Sequence, residues 1–205
     1  MPVTPNWDNL VFGITADRGV QGSSEFRVYP EGAQTRTINN PYVDTTNTRN
    51  ASGSVSFAMN GLPPGGVIGM SGLTDIGTGA ITLSVFVNPF SGSNGVPARI
   101  LTWGLPGQAN TISIIMNSTG NPSAAYVEVY AGSTLYNVGS FGTITNGVFT
   151  HLEVSRDSNN TWRLFKDGIL LETVTNIPSF TSSQNTCLIG SEYTGSTPVH
   201  HTGSC

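Results

Sequence analysis

The sequence predicts an all-β protein built as two stacked antiparallel sheets. Three observations carry that prediction. Apolar residues alternate with polar ones at a period of two, turn-forming dipeptides punctuate the runs at sandwich-like spacing, and no stretch of ten or more residues keeps a helical period. A chain of 205 residues can build one substantial core, and all-β sandwiches of this length commonly form a single domain.

The elements follow in chain order. The first fifty residues hold Pro2, Pro5, Pro30 and Pro41 and the polar run Asp44-Thr45-Thr46-Asn47-Thr48-Arg49-Asn50. One strand interrupts them, Glu25-Phe26-Arg27-Val28-Tyr29, closed by Pro30. Residues 1–22 therefore read as an extended arm, and residues 23–205 as one sandwich. In Ala80–Val87 the residues Ile81, Leu83, Val85 and Val87 share one face. Further strands are expected at 99–103, 111–116, 125–130, 148–154, 161–165 and 169–174, rich in β-branched and aromatic residues that suit a half-buried pleated surface. Gly65-Gly66, Asn94-Gly95, Gly120-Asn121-Pro122, Asn146-Gly147 and Asp167-Gly168 supply the turns between them.

Composition narrows the class of function. Only 10% of residues are charged, against roughly 25% in ordinary soluble proteins. The formal charge of −4 comes without a basic cluster, so nucleic acid is not an expected partner. No apolar run approaches the roughly 20 residues that cross a bilayer, so no membrane is expected either. The start Met1-Pro2-Val3-Thr4-Pro5-Asn6 lacks the basic and apolar segments of a signal peptide. A Gly/Ser/Thr/Asn-rich, Lys-poor composition nevertheless suits exposure to an outside medium, and a virion surface, assembled in a host cytoplasm, reconciles the two. The two cysteines, Cys187 and Cys205, allow one disulfide at most. Folding in a reducing compartment would leave both as thiols.

The stretch Gly147-Val148-Phe149-Thr150-His151-Leu152-Glu153-Val154-Ser155-Arg156-Asp157, continued through Thr161-Trp162-Arg163-Leu164-Phe165-Lys166-Asp167-Gly168-Ile169-Leu170-Leu171, resembles the signature hairpin of concanavalin A-like, laminin-G-type domains. That family has an aromatic-x-His strand, an Arg, a turn, and a strand ending in an Asp-Gly hairpin; Phe149 stands where it usually has Trp. Leu188-Ile189-Gly190 is similar to the family's next strand. The resemblance covers roughly residues 53–205 and implies a jelly-roll sandwich, with Leu152, Val154, Trp162, Leu164, Ile169 and Leu171 feeding its interior. It also implies a closing strand that the carboxyl end does not supply. Ser24–Tyr29 looks like that missing strand, so Glu25, Phe26, Arg27, Val28 and Tyr29 are expected to close the sandwich, in the same chain or in a neighbouring subunit. The superfold hosts lectins, glycosidases and structural modules alike, so it does not fix function.

Little catalytic chemistry is expected. Glu128 and Glu153 are isolated on their strands, without the paired spacing that glycoside hydrolysis requires. Asp157 and Asp167 lie in turns, where Asp hydrogen-bonds the backbone. His151 and Arg156 have no Ser or Cys motif beside them, which favours structural roles. His200-His201 near Cys205 is the only zinc candidate, and adjacent residues of an extended segment point apart. Asp75, Asp157 and Asn159 offer no contiguous calcium loop. The chain is thus expected to need no metal and no cofactor. Sugar-stacking candidates are Trp7, Tyr42, Tyr130, Tyr136 and Tyr193, with Trp103 and Trp162 assigned to the core. The expectation is a non-enzymatic structural protein of a bacteriophage virion that decorates or cements the capsid, partnered by a major capsid or tail protein and by itself as a homo-oligomer, a trimer. The alternative is a carbohydrate-binding module of a tail fibre or adhesin, with a glycan as partner.

Overall fold

The computed structural model describes the backbone at residues 13–15, 27–29, 34–38, 42–44, 54–56, 67–71, 73, 76–89, 98–105, 108–117, 123–181, 186–190, 193–194, 197–198 and 203–204. Side chains are described at 68–71, 73, 76–89, 99–105, 108–116, 124–181 and 186–190. In chain order the strands are β1 (Gly13–Thr15), β2 (Arg27–Tyr29), β3 (Gln34–Ile38), β4 (Tyr42–Asp44), β5 (Ser54–Ser56), β6 (Val67–Ser71), β7 (Ile81–Pro89), β8 (Ala98–Trp103) and β9 (Thr111–Asn117). They continue as β10 (Ser123–Ala131), β11 (Thr134–Ile144), β12 (Thr150–Arg156), β13 (Trp162–Lys166), β14 (Ile169–Val174), β15 (Cys187–Gly190), β16 (Tyr193–Thr194), β17 (Thr197–Pro198) and β18 (Gly203–Ser204). No helix among the described residues is long and apolar enough to cross a membrane.

Two seven-stranded sheets form the sandwich. The first runs β11-β10-β9-β8-β15-β6-β3 and the second β14-β13-β12-β7-β18-β5-β4. Every pairing within them is antiparallel. The chain passes from β7 in the second sheet to β8–β11 in the first, back to β12–β14, and again to β15, which is the alternation of a jelly roll. The all-β sandwich expected from the sequence is the observed fold.

The core lies between the sheets. Trp103, Ile112, Ile114, Val127 and Val129 from the first sheet meet Leu83, Val87, Leu152, Val154, Trp162 and Leu164 from the second. All are buried, as the two-residue period requires. Cys187 is buried beside them as a free thiol, directly opposite Trp103 and Met70 in the ladder, and burial pushes its pKa well up. The β13–β14 hairpin closes through Asp167 and Gly168, at φ 51° and 79°. Two successive positive φ angles are what a two-residue type I′ connection demands.

Two expectations need correction. Arg27–Tyr29 does not complete either large sheet of its own chain. It pairs with Gly13–Thr15, inside the expected arm, as a separate two-stranded ladder. The strands that extend the sheets from the amino-terminal region are β3, against β6, and β4, against β5. A short strand joins whichever edge its neighbours leave open, and local sequence does not encode that choice. The second correction concerns Ile169 and Leu171, which are 66% and 44% exposed rather than interior. Their strand is the last of its sheet, and a register shift between Leu164 and Phe165 breaks the alternation there.

Candidate functional site

The outward face of the second sheet is assembled from β7, β12 and β13. Leu83 and Val87 point inward, so Thr82, Ser84 and Phe86 point out. On β12 the buried positions are Leu152, Val154 and Arg156, which leaves His151, Glu153 and Ser155 outward. Cross-strand register sets His151 opposite Phe86, and Glu153 opposite both Ser84 and Phe165. The ring of Phe86, 38% exposed, stacks on His151 with centroids 4.6 Å apart and planes at 29°. The Nε2 atom of His151 lies 2.6 Å from the Ser84 hydroxyl. Its backbone is fixed in turn: the amide donates to Asp167 Oδ1 and the carbonyl accepts from the Asp167 amide, each at 2.9 Å. The result is an aromatic platform edged by a hydroxyl, an imidazole and a carboxylate.

His151 thus does have a serine beside it, contrary to the sequence expectation. The two are 67 residues apart and meet only through the pairing of β7 with β12. Among the described residues the imidazole hydrogen-bonds with Ser84 and stacks on Phe86. Nucleophilic catalysis adds a third group that orients the base, and among the described residues no hydrogen bond to Nδ1 is seen. Glu128 and Glu153 do not form a hydrolytic pair with each other. Glu128 leaves the outward face of the first sheet and Glu153 that of the second, so the two face away from each other across the sandwich. A glycosidase pair must sit within about 5 to 10 Å across one bond.

The outward side of β8 and β9 in the first sheet is covered by contrast. Thr111, Ser113 and Ile115 of β9 and Thr102 of β8 are as buried as the core. Thr102 and Ser113 satisfy one another through a 3.1 Å hydrogen bond. Arg99 pairs with Glu128 at 3.5 Å above them. Tyr130 stands on this side, half-buried, opposite Leu135. Tyr136 is opposite Val129 instead and packs against the core. Tyr42 and Tyr193 have backbone positions in β4 and β16, and their side chains, like Trp7, lie outside the described residues. Tyr130 and Tyr136 therefore lie on opposite sides of the first sheet. Phe86 was missed, although the same alternation that buries Leu83 and Val87 puts it in solvent.

The charged groups near the β12–β13 turn are structural. Arg156 is buried, donating from Nε and Nη2 to the Gly79 carbonyl, from Nη2 to Gly77 and from Nη1 to Phe180. Its guanidinium lies 5.6 Å and 5.3 Å from the ring centroids of Trp162 and Phe180, and desolvation lowers its pKa. Asp157 accepts from the amides of Thr161 and Asn159 and from Arg163, each at 2.9 Å. The Thr161 amide first, and Arg163 next, hold its carboxyl below the usual carboxylate range. Oxygens so engaged, beside a cation, are poor calcium ligands. No group of three or more His, Cys, Asp or Glu converges among the described residues; Asp75, His200, His201 and Cys205 lie outside them.

Residues 65–201 match a laminin-G family of the concanavalin A-like lectin/glucanases superfamily. The chain belongs to that superfamily. No curated protein sequence matches it. Among solved structures, this sandwich is similar to the binding domain of Paraclostridial Mosquitocidal Protein 1 (TM-score 0.67, 11% identity, 96% of this chain and 48% of that one). It is similar also to the botulinum neurotoxin serotype D binding domain (0.61, 10%, 91% and 47%). A third is domain 4 of AbnA, an extracellular arabinanase from Geobacillus stearothermophilus, in complex with arabinotriose (0.54, 18%, 94% and 79%). This chain spans under half the length of the two toxin domains. At such identities the likeness is one of fold.

Proposed function

We propose that this chain is a non-catalytic saccharide-binding module whose ligand lies on the outward face of the second sheet. The observation that carries this reading is the Phe86–His151 stack with Ser84 hydrogen-bonded at its edge. A pyranose has an apolar face of C–H groups and a rim of hydroxyls. An exposed aromatic ring takes the first and flanking polar side chains take the second. Rigid, ladder-paired strands hold these groups without a large ordering cost. The saccharide-bound arabinanase domain of the same architecture supports the reading by analogy.

The test is a glycan array on the purified chain, followed by calorimetry on the hits with Phe86→Ala. The expected outcome is selective saccharide binding that weakens about tenfold or more in the variant, while its melting temperature stays near that of the wild type. An array without hits, or an alanine variant with undiminished affinity, would remove the platform from consideration.

A further inference from the structure

Resting on that reading, we infer that the platform takes uncharged saccharides and discriminates against carboxylated, sulfated or phosphorylated ones. The argument is about where the positive charge goes. Four Lys and Arg side chains are described: Arg99, Arg156, Arg163 and Lys166. Each is already committed. Arg99 faces Glu128 at 3.5 Å on the opposite sheet. Arg156 is buried against three backbone carbonyls. Lys166 donates to the Thr143 carbonyl.

Arg163 is the only one of the four on the platform's own face, opposite Ser155 and one residue pair along from Phe165. It is paired with Asp157 at 2.9 Å. An anionic sugar that approached Arg163 would meet a guanidinium whose charge is already countered by a carboxylate that two backbone amides also hold. A charge-assisted bond anchored in this way is stronger than an ordinary surface contact.

The platform itself carries the opposite sign. Glu153 sits between Ser84 and Phe165 in the cross-strand row, diagonal to Phe86 on the same outward face. Like charges brought together on this face repel. Toward a hydroxyl the same carboxylate is a strong acceptor. Among the described residues the face is therefore complementary to a polyol rather than to an anion.

The experiment compares matched pairs of glycans, one neutral and one bearing sialic acid or sulfate, against the wild-type chain, Asp157→Asn and Phe86→Ala, at about 0.02 M and 0.5 M salt. Neutral members should bind at least tenfold tighter, with affinity nearly independent of salt. Asp157→Asn, which frees Arg163, should narrow that gap several-fold at low salt. A wild type that prefers the acidic member, or whose affinity falls steeply with salt, overturns the inference. If that acidic binding is still lost in Phe86→Ala, the platform stands and only its selectivity is wrong. Absence of binding to every glycan would defeat both.

Discussion

Strands β9 and β12 sit near the middle of the two sheets and have opposite exposure patterns. From Thr111 to Met116 every residue of β9 is buried, so that strand has an inside on both faces. In β12 burial alternates strictly, with His151, Glu153 and Ser155 turned to solvent. A strand covered on both sides cannot keep a lone hydroxyl, which is why Thr102 and Ser113 are bonded to each other. A strand open on one side is free to hold groups whose partner comes from outside. The first sheet is built for stability; the second leaves a surface to use.

The largest effect should come from the one charged inward position of β12. Arg156→Met removes the donor from the carbonyls of Gly77, Gly79 and Phe180 while keeping an apolar stem. Loss of about 3 kcal/mol or more is expected in urea denaturation; a loss below about 1 kcal/mol would mean that the loops do not depend on that clamp. Next, Ile115→Ala on the outward side of β9 should cost about 2–4 kcal/mol, like a core truncation, whereas Ser84→Ala on the outward side of β7 should cost less than about 0.5 kcal/mol. Equal costs at the two positions would erase the contrast between the sheets.

The smallest effect is a pH dependence at the turn after β12. The carboxyl of Asp157 is more acidic in the folded chain than in the unfolded one, where an ordinary Asp titrates near 3.9. Its contribution to stability is therefore complete above that pH and is lost as pH falls through the lowered folded value. Asp157→Asn should be less stable than the wild type at neutral pH, and the difference should shrink toward zero in strong acid. A difference that is constant with pH would show that the turn is held by something other than this ionised group.

How much of this was readable beforehand depended on whether a residue's environment is set by its own strand. Ile81, Leu83 and Val87 announce β7 because a central strand with one dry face must alternate. The Asp167-Gly168 turn was equally plain, since few other dipeptides accept two positive φ angles. In contrast β11, the longest strand at 11 residues, shows no such signal. Its buried positions are Val138, Phe141 and Ile144, three apart, because two register shifts against β10 displace the pleat. At β14 the apolar run Ile169-Leu170-Leu171 suggested a core strand, and only its place at the end of the sheet order makes it exposed. The platform was half legible: alternation turns Phe86 and Ser84 outward, but their meeting with His151 is a long-range pairing that no local pattern contains.

The thiol of Cys187 turns the closed sheet into its own reporter. Shut among Met70 and Trp103 and kept protonated by its surroundings, it is inert to alkylating reagents until the interior of the sandwich parts. With Cys205 replaced by Ser, the rate at which Cys187 becomes labelled counts the opening events of the first sheet, one molecule at a time, under conditions where no bulk signal registers any unfolding.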